Sequence, residues 1–89
     1  MTASEYPSLR PGVRLRHDGA RNQWVLLAPE RVIELDPIAA TIVQRLDGAS
    51  SVTDIAQALA LEFDADTARI EADVRELIED LHRRRLLRR

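Results

Sequence analysis

Few side chains in this 89-residue chain are equipped to make or break bonds. It contains no cysteine, which removes thiolate catalysis, disulfides, iron–sulfur ligation and cysteine zinc sites together. His17 and His82 are the two histidines, and they lack the four-residue helical spacing that puts two imidazoles on one metal. Both read as surface residues. The glycines, Gly12, Gly19 and Gly48, are dispersed at turns and form no phosphate-cradling loop. Carboxylates are abundant, but Glu71, Asp73, Glu76, Glu79 and Asp80 spread over the solvent side of an amphipathic helix, where a charge run means solubility. No pair stands out as acid and base, and no serine lies near a base. The expectation is a protein that is not an enzyme and holds neither metal nor cofactor.

Recognition chemistry remains. Every basic residue other than the histidines is arginine; Arg10, Arg14, Arg16 and Arg21 make the first segment basic, Arg83, Arg84, Arg85, Arg88 and Arg89 make the tail basic, and the region between is acidic on balance. The absence of lysine reads first as genome base composition. The functional alternative is carboxylate recognition, which the guanidinium fork suits.

The elements that would position such groups follow from the hydrophobic pattern. Residues 1–12, with Pro7, Pro11 and Gly12, read as an irregular arm, and 13–87 as a single domain, the most that this length accommodates. Val13 to His17 alternates apolar and basic residues, as in a half-buried strand with Val13 and Leu15 inward. After a loop at Asp18–Asn22, Gln23 to Ala28 reads as a second strand and Arg31 to Leu35 as a third, joined by a type I turn with Pro29 at its second position. Asp36-Pro37 then opens a helix with Gly48 as its left-handed stop, its inner face carrying Ile38, Ile42, Val43 and Leu46. Ser51-Val52-Thr53-Asp54 reads as a capping box for a second helix that buries Ile55, Leu59 and Phe63. The third helix starts near Asp64 or Asp66 and runs to about Arg84, with Ile70, Val74, Leu77, Ile78 and Leu81 at spacings of three and four. The predicted class is α+β, winged-helix-like: a three-stranded antiparallel sheet followed by three helices. At 45% hydrophobic and 31% charged residues, the chain is too apolar to be disordered. It has no membrane-length apolar run and no signal-peptide pattern at its start, which points to the cytoplasm.

Two helices ending in a long one also describe a winged-helix DNA-binding regulator, and that alternative is decided by charge. Between Asp64 and His82 lie seven carboxylates, Asp64, Asp66, Glu71, Asp73, Glu76, Glu79 and Asp80, against Arg69 and Arg75; seven minus two leaves five excess negative charges. Phosphate repels such a helix, so no nucleic-acid partner is expected. The feature that does suggest a ligand is the short third strand at a sheet edge, whose main-chain groups are open to an added peptide strand or to the same edge of a second copy. A monomer or weak homodimer is expected, with any dimer competing for the peptide edge.

Several segments, in order, carry a resemblance to a known family. Leu15-Arg16-His17-Asp18, Val25-Leu26-Leu27-Ala28-Pro29-Glu30, Asp47-Gly48, Ser51-Val52-Thr53-Asp54-Ile55, Asp73-Val74 and Leu86-Leu87 resemble the pyrroloquinoline quinone (PQQ) biosynthesis protein D family over roughly residues 9–87. One departure is Arg85, where the family pattern has glycine before the final apolar pair, so the third helix is expected to end differently or run further. The resemblance implies a non-catalytic peptide chaperone. Such a protein takes the precursor peptide of the quinone cofactor and presents it to a radical S-adenosylmethionine maturation enzyme. It also implies that the peptide adds as a strand to the third strand, beside the third helix. The residues expected at that site are Arg31, Val32, Ile33, Glu34 and Leu35 on the strand and Arg75, Ile78 and His82 on one flank of the helix. A proline at Ile33 is expected to block pairing. Arg83, Arg84 and Arg85 are expected to meet the enzyme.

Overall fold

The computed structural model describes residues 6–88, so the first five residues of the expected arm, and Arg89 of the basic tail, lie outside the described residues. The chain order is β1 (Arg14–Asp18), β2 (Gln23–Ala28), β3 (Arg31–Leu35), α1 (Pro37–Val43), α2 (Val52–Phe63) and α3 (Thr67–Arg83). The strands form one antiparallel sheet in the order β1-β2-β3, as the short connections between them require. Leu15 pairs with Leu26, and Leu26 with Ile33. Because side chains alternate across a strand, this register sets Leu15, Trp24, Leu26, Ala28, Arg31, Ile33 and Leu35 on the face covered by the helices, with Leu26 fully buried. Arg14, Arg16, Val32 and Glu34 share the outer face. The β2–β3 turn differs from expectation: Glu30 sits at φ 67°, which a type I turn does not allow at its third position but a type II turn demands.

Each helix begins where its cap residue dictates. The Asp36 carboxylate accepts from the Ala39 N–H at 2.7 Å, with Pro37 in the first turn. Ser51 and Asp54 exchange hydrogen bonds in a complete capping box, and the Asp66 carboxylate accepts from the Ala68 N–H. The ends follow the pattern less closely. α1 stops at Val43, well before Gly48, because the N–H groups of Arg45 and Leu46 turn to the carbonyls three residues back and tighten the chain into a short-pitch turn. Gly48, at φ 78°, instead makes the bend that lets its N–H donate to the Pro7 carbonyl at 3.0 Å. Ile38 and Phe63, expected in the core, are 70% and 55% exposed.

The C-terminus of α3 explains the arginine that departs from the family pattern. Arg84 caps the helix and Arg85 takes a left-handed conformation, φ 61°. The N–H of Arg85 donates to the His82 carbonyl and that of Leu86 to the Leu81 carbonyl, both at 3.0 Å. This is the Schellman arrangement, in which glycine is the usual left-handed residue. The reversal drives Leu86 and Leu87 into the core, where they are 0% and 3% exposed. There the tail meets the N-terminal segment: Leu9 bridges Leu87, Arg10 N–H donates to the Leu86 carbonyl, and Arg88 N–H donates to the Ser8 carbonyl. The described part of the arm is therefore docked. Ser8 also bridges Asp47, whose carboxylate accepts the N–H groups of Ala49 and Ser50 at 2.9 Å each. No helix among the described residues is long and apolar enough to cross a membrane.

Two stability experiments follow from these turns. Arg85→Gly should raise the unfolding free energy by roughly 0.5–1 kcal/mol, the relief of about 1–2 kcal/mol of left-handed strain less the added unfolded-chain entropy of glycine; the urea midpoint reads it. The Asp47 carboxyl is held below its ordinary value of 3.8, chiefly by the Ala49 N–H and against a smaller desolvation effect. Its contribution is thus complete above 3.8 and disappears as pH falls through the lowered folded-state value. Asp47→Asn should flatten the acid limb of a stability–pH profile over that window.

Candidate peptide-binding edge

With β2 in the middle of the sheet, β1 and β3 each keep one unpaired edge. Which β3 groups face outward is settled by Gln23, whose side-chain amide donates to the Trp24 carbonyl at 3.1 Å and the Leu35 carbonyl at 2.8 Å. Those two carbonyls must therefore face each other across the β2–β3 seam. Main-chain direction alternates along an antiparallel strand, so Arg31, Ile33 and Leu35 address β2 while Val32 and Glu34 turn their N–H and C=O groups to the open edge. The expectation that a proline at Ile33 tests this edge is corrected accordingly. That substitution removes a donor from the β2–β3 ladder, whereas proline at Val32 or Glu34 removes one from the free side.

α3 lies alongside this edge and runs opposite to β3. At one end, the Arg31 guanidinium donates to the Arg84 carbonyl at 2.7 Å, tying the start of β3 to the end of α3 and offsetting the negative pole of the helix. At the other, Ile70 and Asp73 from the first turns of α3 share an apolar groove of about 320 Å³ with Pro37, Ile38, Thr41 and Phe63. Between these ends, Ile33 on β3 and Leu77 on α3 are half-buried. α3 packs chiefly on α2 rather than on β3, which leaves little helix–strand packing along the channel between them.

Ile70, Asp73, Leu77 and Arg84 are spaced by three, four and seven and so share one flank of α3. The helix residues expected at the site do not join it. Arg75 is on the far flank, bonded to Glu71 at 2.7 Å; His82 is exposed one helical repeat beyond it. Ile78 is 3% exposed and is a core residue. The spacing of three and four in the sequence gives the apolar arc of α3 but not its neighbours. On the strand, Val32 and Glu34 are exposed and Leu35 is buried. Arg31 is committed to the α3 carbonyl, so its guanidinium is not free to set peptide register. The apolar groove was missed, and its signal was Ile38 at the rim of its helix's apolar arc and Phe63 at the last position of α2.

The opposite end of the channel is cationic. Arg83, Arg84 and Arg85 join Arg10 and Arg31 around a cleft of about 490 Å³ whose remaining walls are Pro11, Val13, Ala28, Pro29 and Leu86. Among the described residues no cluster of histidine and carboxylate side chains is arranged to hold a metal ion. The arrangement offers main-chain hydrogen bonding, an apolar groove and guanidinium groups, which are means of binding a polypeptide.

Known proteins with this architecture agree. The PqqA binding protein of Xanthomonas euvesicatoria pv. vesicatoria is 65% identical over 88 residues, covering 99% of this chain and 96% of that one. The solution structure of the PqqD portion of Methylobacterium extorquens PqqCD, described as a functional, stand-alone recognition element for ribosomally synthesized and post-translationally modified peptides, superposes with a TM-score of 0.85. It is 45% identical and spans 99% of this chain and 94% of its own. A lasso peptide synthetase B1 complexed with the leader peptide shares the fold at a TM-score of 0.78 and 28% identity, over 94% of this chain and 99% of that one. Both solved structures share the fold of this chain. Since the model of coenzyme PQQ synthesis protein D, PqqD, matches residues 23–87, which include the open strand and all three helices, the chain belongs to the PqqD family.

Proposed function

We propose that this protein is a non-catalytic recognition module that binds a PqqA precursor peptide as a fourth strand on β3 and presents it to a radical S-adenosylmethionine maturation enzyme. The observation that carries this reading is the outward-facing main chain of Val32 and Glu34 beside an open channel. Main-chain pairing supplies affinity that depends little on sequence, while the groove at Ile38, Phe63 and Ile70 selects apolar side chains. The names of the relatives support a peptide ligand, and a relative solved with a leader peptide shares the architecture. Presentation suits an edge-binding domain: held extended, the peptide offers its modifiable residues to a second protein without the entropy of a free chain.

The DNA-binding alternative finds no support in the relatives. The exposed surface of α3 carries Glu76 and Glu79, which a phosphate backbone would repel.

Calorimetric titration with a synthetic PqqA peptide tests the reading. Glu34→Pro should retain a cooperative melt yet bind at least about tenfold more weakly, since it removes an edge donor and sets a ring against the incoming strand. Ile33→Pro should instead lower the melting temperature before any peptide is added. Undiminished affinity in Glu34→Pro would overturn strand addition at β3, and salt-sensitive binding of random duplex DNA in place of peptide would restore the regulator. If the isolated maturation enzyme processed the peptide equally well without this protein, presentation would be ruled out.

A further inference from the structure

We propose that the arginine cleft at the C-terminus of α3 receives acidic side chains of the bound peptide, located immediately C-terminal to the stretch that pairs with β3. This rests on the strand-addition reading above and adds a charge requirement and a direction to it.

The cleft is far more cationic than the fold needs. Five arginines line it, Arg10, Arg31, Arg83, Arg84 and Arg85, and no acidic residue does. Asp80 reaches Arg83 and Arg84 from outside the lining, at 3.3 Å in each case, through exposed contacts that contribute little. Arg31 serves the Arg84 carbonyl. Arg10 and Arg85 have no ion pair among the described residues. One or two cations suffice to complement the negative end of a helix, so three remain to be explained. Arg85 is the most telling, because it stands in a left-handed position, φ 61°, that costs arginine conformational energy and would cost glycine none. The chain keeps a charge there at the expense of its own stability.

Location identifies the occupant. β3 starts at the arginine cleft and ends at the apolar groove, so a strand added antiparallel runs the other way. It enters with its N-terminal residues over Ile38, Phe63 and Ile70 and leaves with its C-terminal residues over the arginines. A paired stretch as long as β3, five residues, delivers the following residues directly to the cleft. Carboxylates there would be met by planar forks suited to bidentate pairing, with Pro11, Pro29 and Leu86 as an apolar floor that lowers the local dielectric. The cleft also acts at a distance, orienting the peptide before contact so that the reversed polarity is disfavoured. The recognised pattern is thus apolar anchors first and acidic residues after them.

The test pairs a protein variant with a peptide variant. Arg10→Gln combined with Arg85→Gly removes two charges without touching β3, and the second substitution favours the turn it occupies. The peptide variant replaces every Asp and Glu of the synthetic PqqA peptide with Asn and Gln. Titrations of both proteins with both peptides, at two salt concentrations, are expected to show that either change alone weakens binding about tenfold and flattens the salt dependence. The two together should do little more than one. A nitroxide on the C-terminal side of the peptide should broaden the amide signals of Arg84–Leu86, and one on the N-terminal side those of Ile38 and Ile70. Equal affinity and salt dependence for all four combinations would overturn the cleft assignment. Strand addition would survive that result if Glu34→Pro still weakened binding. A PqqA peptide with no acidic residue after the paired stretch, or broadening at the opposite ends, would equally overturn it. Loss of the maturation-enzyme complex with peptide affinity unchanged would assign the arginines to an acidic surface of that enzyme instead and overturn the proposal.

Discussion

The left-handed turn at Arg85 is the constraint on which both the core and the channel depend. α3 must stop there for Leu86 and Leu87 to reverse into the core and for Leu87 to meet Leu9. The same turn delivers the Arg84 carbonyl to Arg31 and so fixes the distance between helix and edge strand. A helix continued by one turn would carry Leu86 and Leu87 away from Leu9 and leave the N-terminal segment without a partner. Stability and site geometry are therefore coupled at one residue, and the residue present is not the one that favours the conformation most.

An open sheet edge invites unwanted pairing, and this protein limits that hazard without closing the edge. β3 is only five residues long, and just two of its residues turn their main chains outward. Glu34 lies at one of them, and a second copy aligned antiparallel on the same edge would bring like charges near one another. The surface that would accept a peptide is thus narrow enough to be selective. In the proposed mode of binding, selectivity would come from next door, where Ile38 and Phe63 are exposed. Main-chain affinity and the choice of side chain would then be carried by different elements.

Helix caps and strands were readable because each is governed by residues within a few positions. Asp36-Pro37, the Ser51–Asp54 box and Asp66 act on N–H groups two or three residues away, β1 follows from a period-two pattern, and β2 and β3 follow from apolar, β-rich runs on either side of Pro29. The errors fall where a local rule competes with a distant partner. Gly48 looked like a helix stop because left-handed glycine commonly is one; its conformation serves the hydrogen bond to Pro7, forty-one positions earlier in the chain. Ile38 and Phe63 satisfy the helical period of their own elements, yet the space facing them is left open rather than filled. Arg75, Ile78 and His82 share a flank by helical spacing, which gives angles around one axis and nothing about what stands on either side.

What the sequence by itself determined is the order and type of the elements, the absence of cysteine and the excess negative charge of α3, because these depend on composition and on interactions spanning at most one turn. Family membership was legible as well, from short segments in a fixed order. Only the tertiary structure decided which flank of α3 borders β3, which two residues of β3 turn their main chains outward, and that Arg10 and Arg31 gather with three arginines from the far end of the chain. Those outcomes depend on packing between residues more than fifty positions apart. Such contacts form only when the hydrophobic core sets the elements against one another, and no periodicity within a single element encodes them.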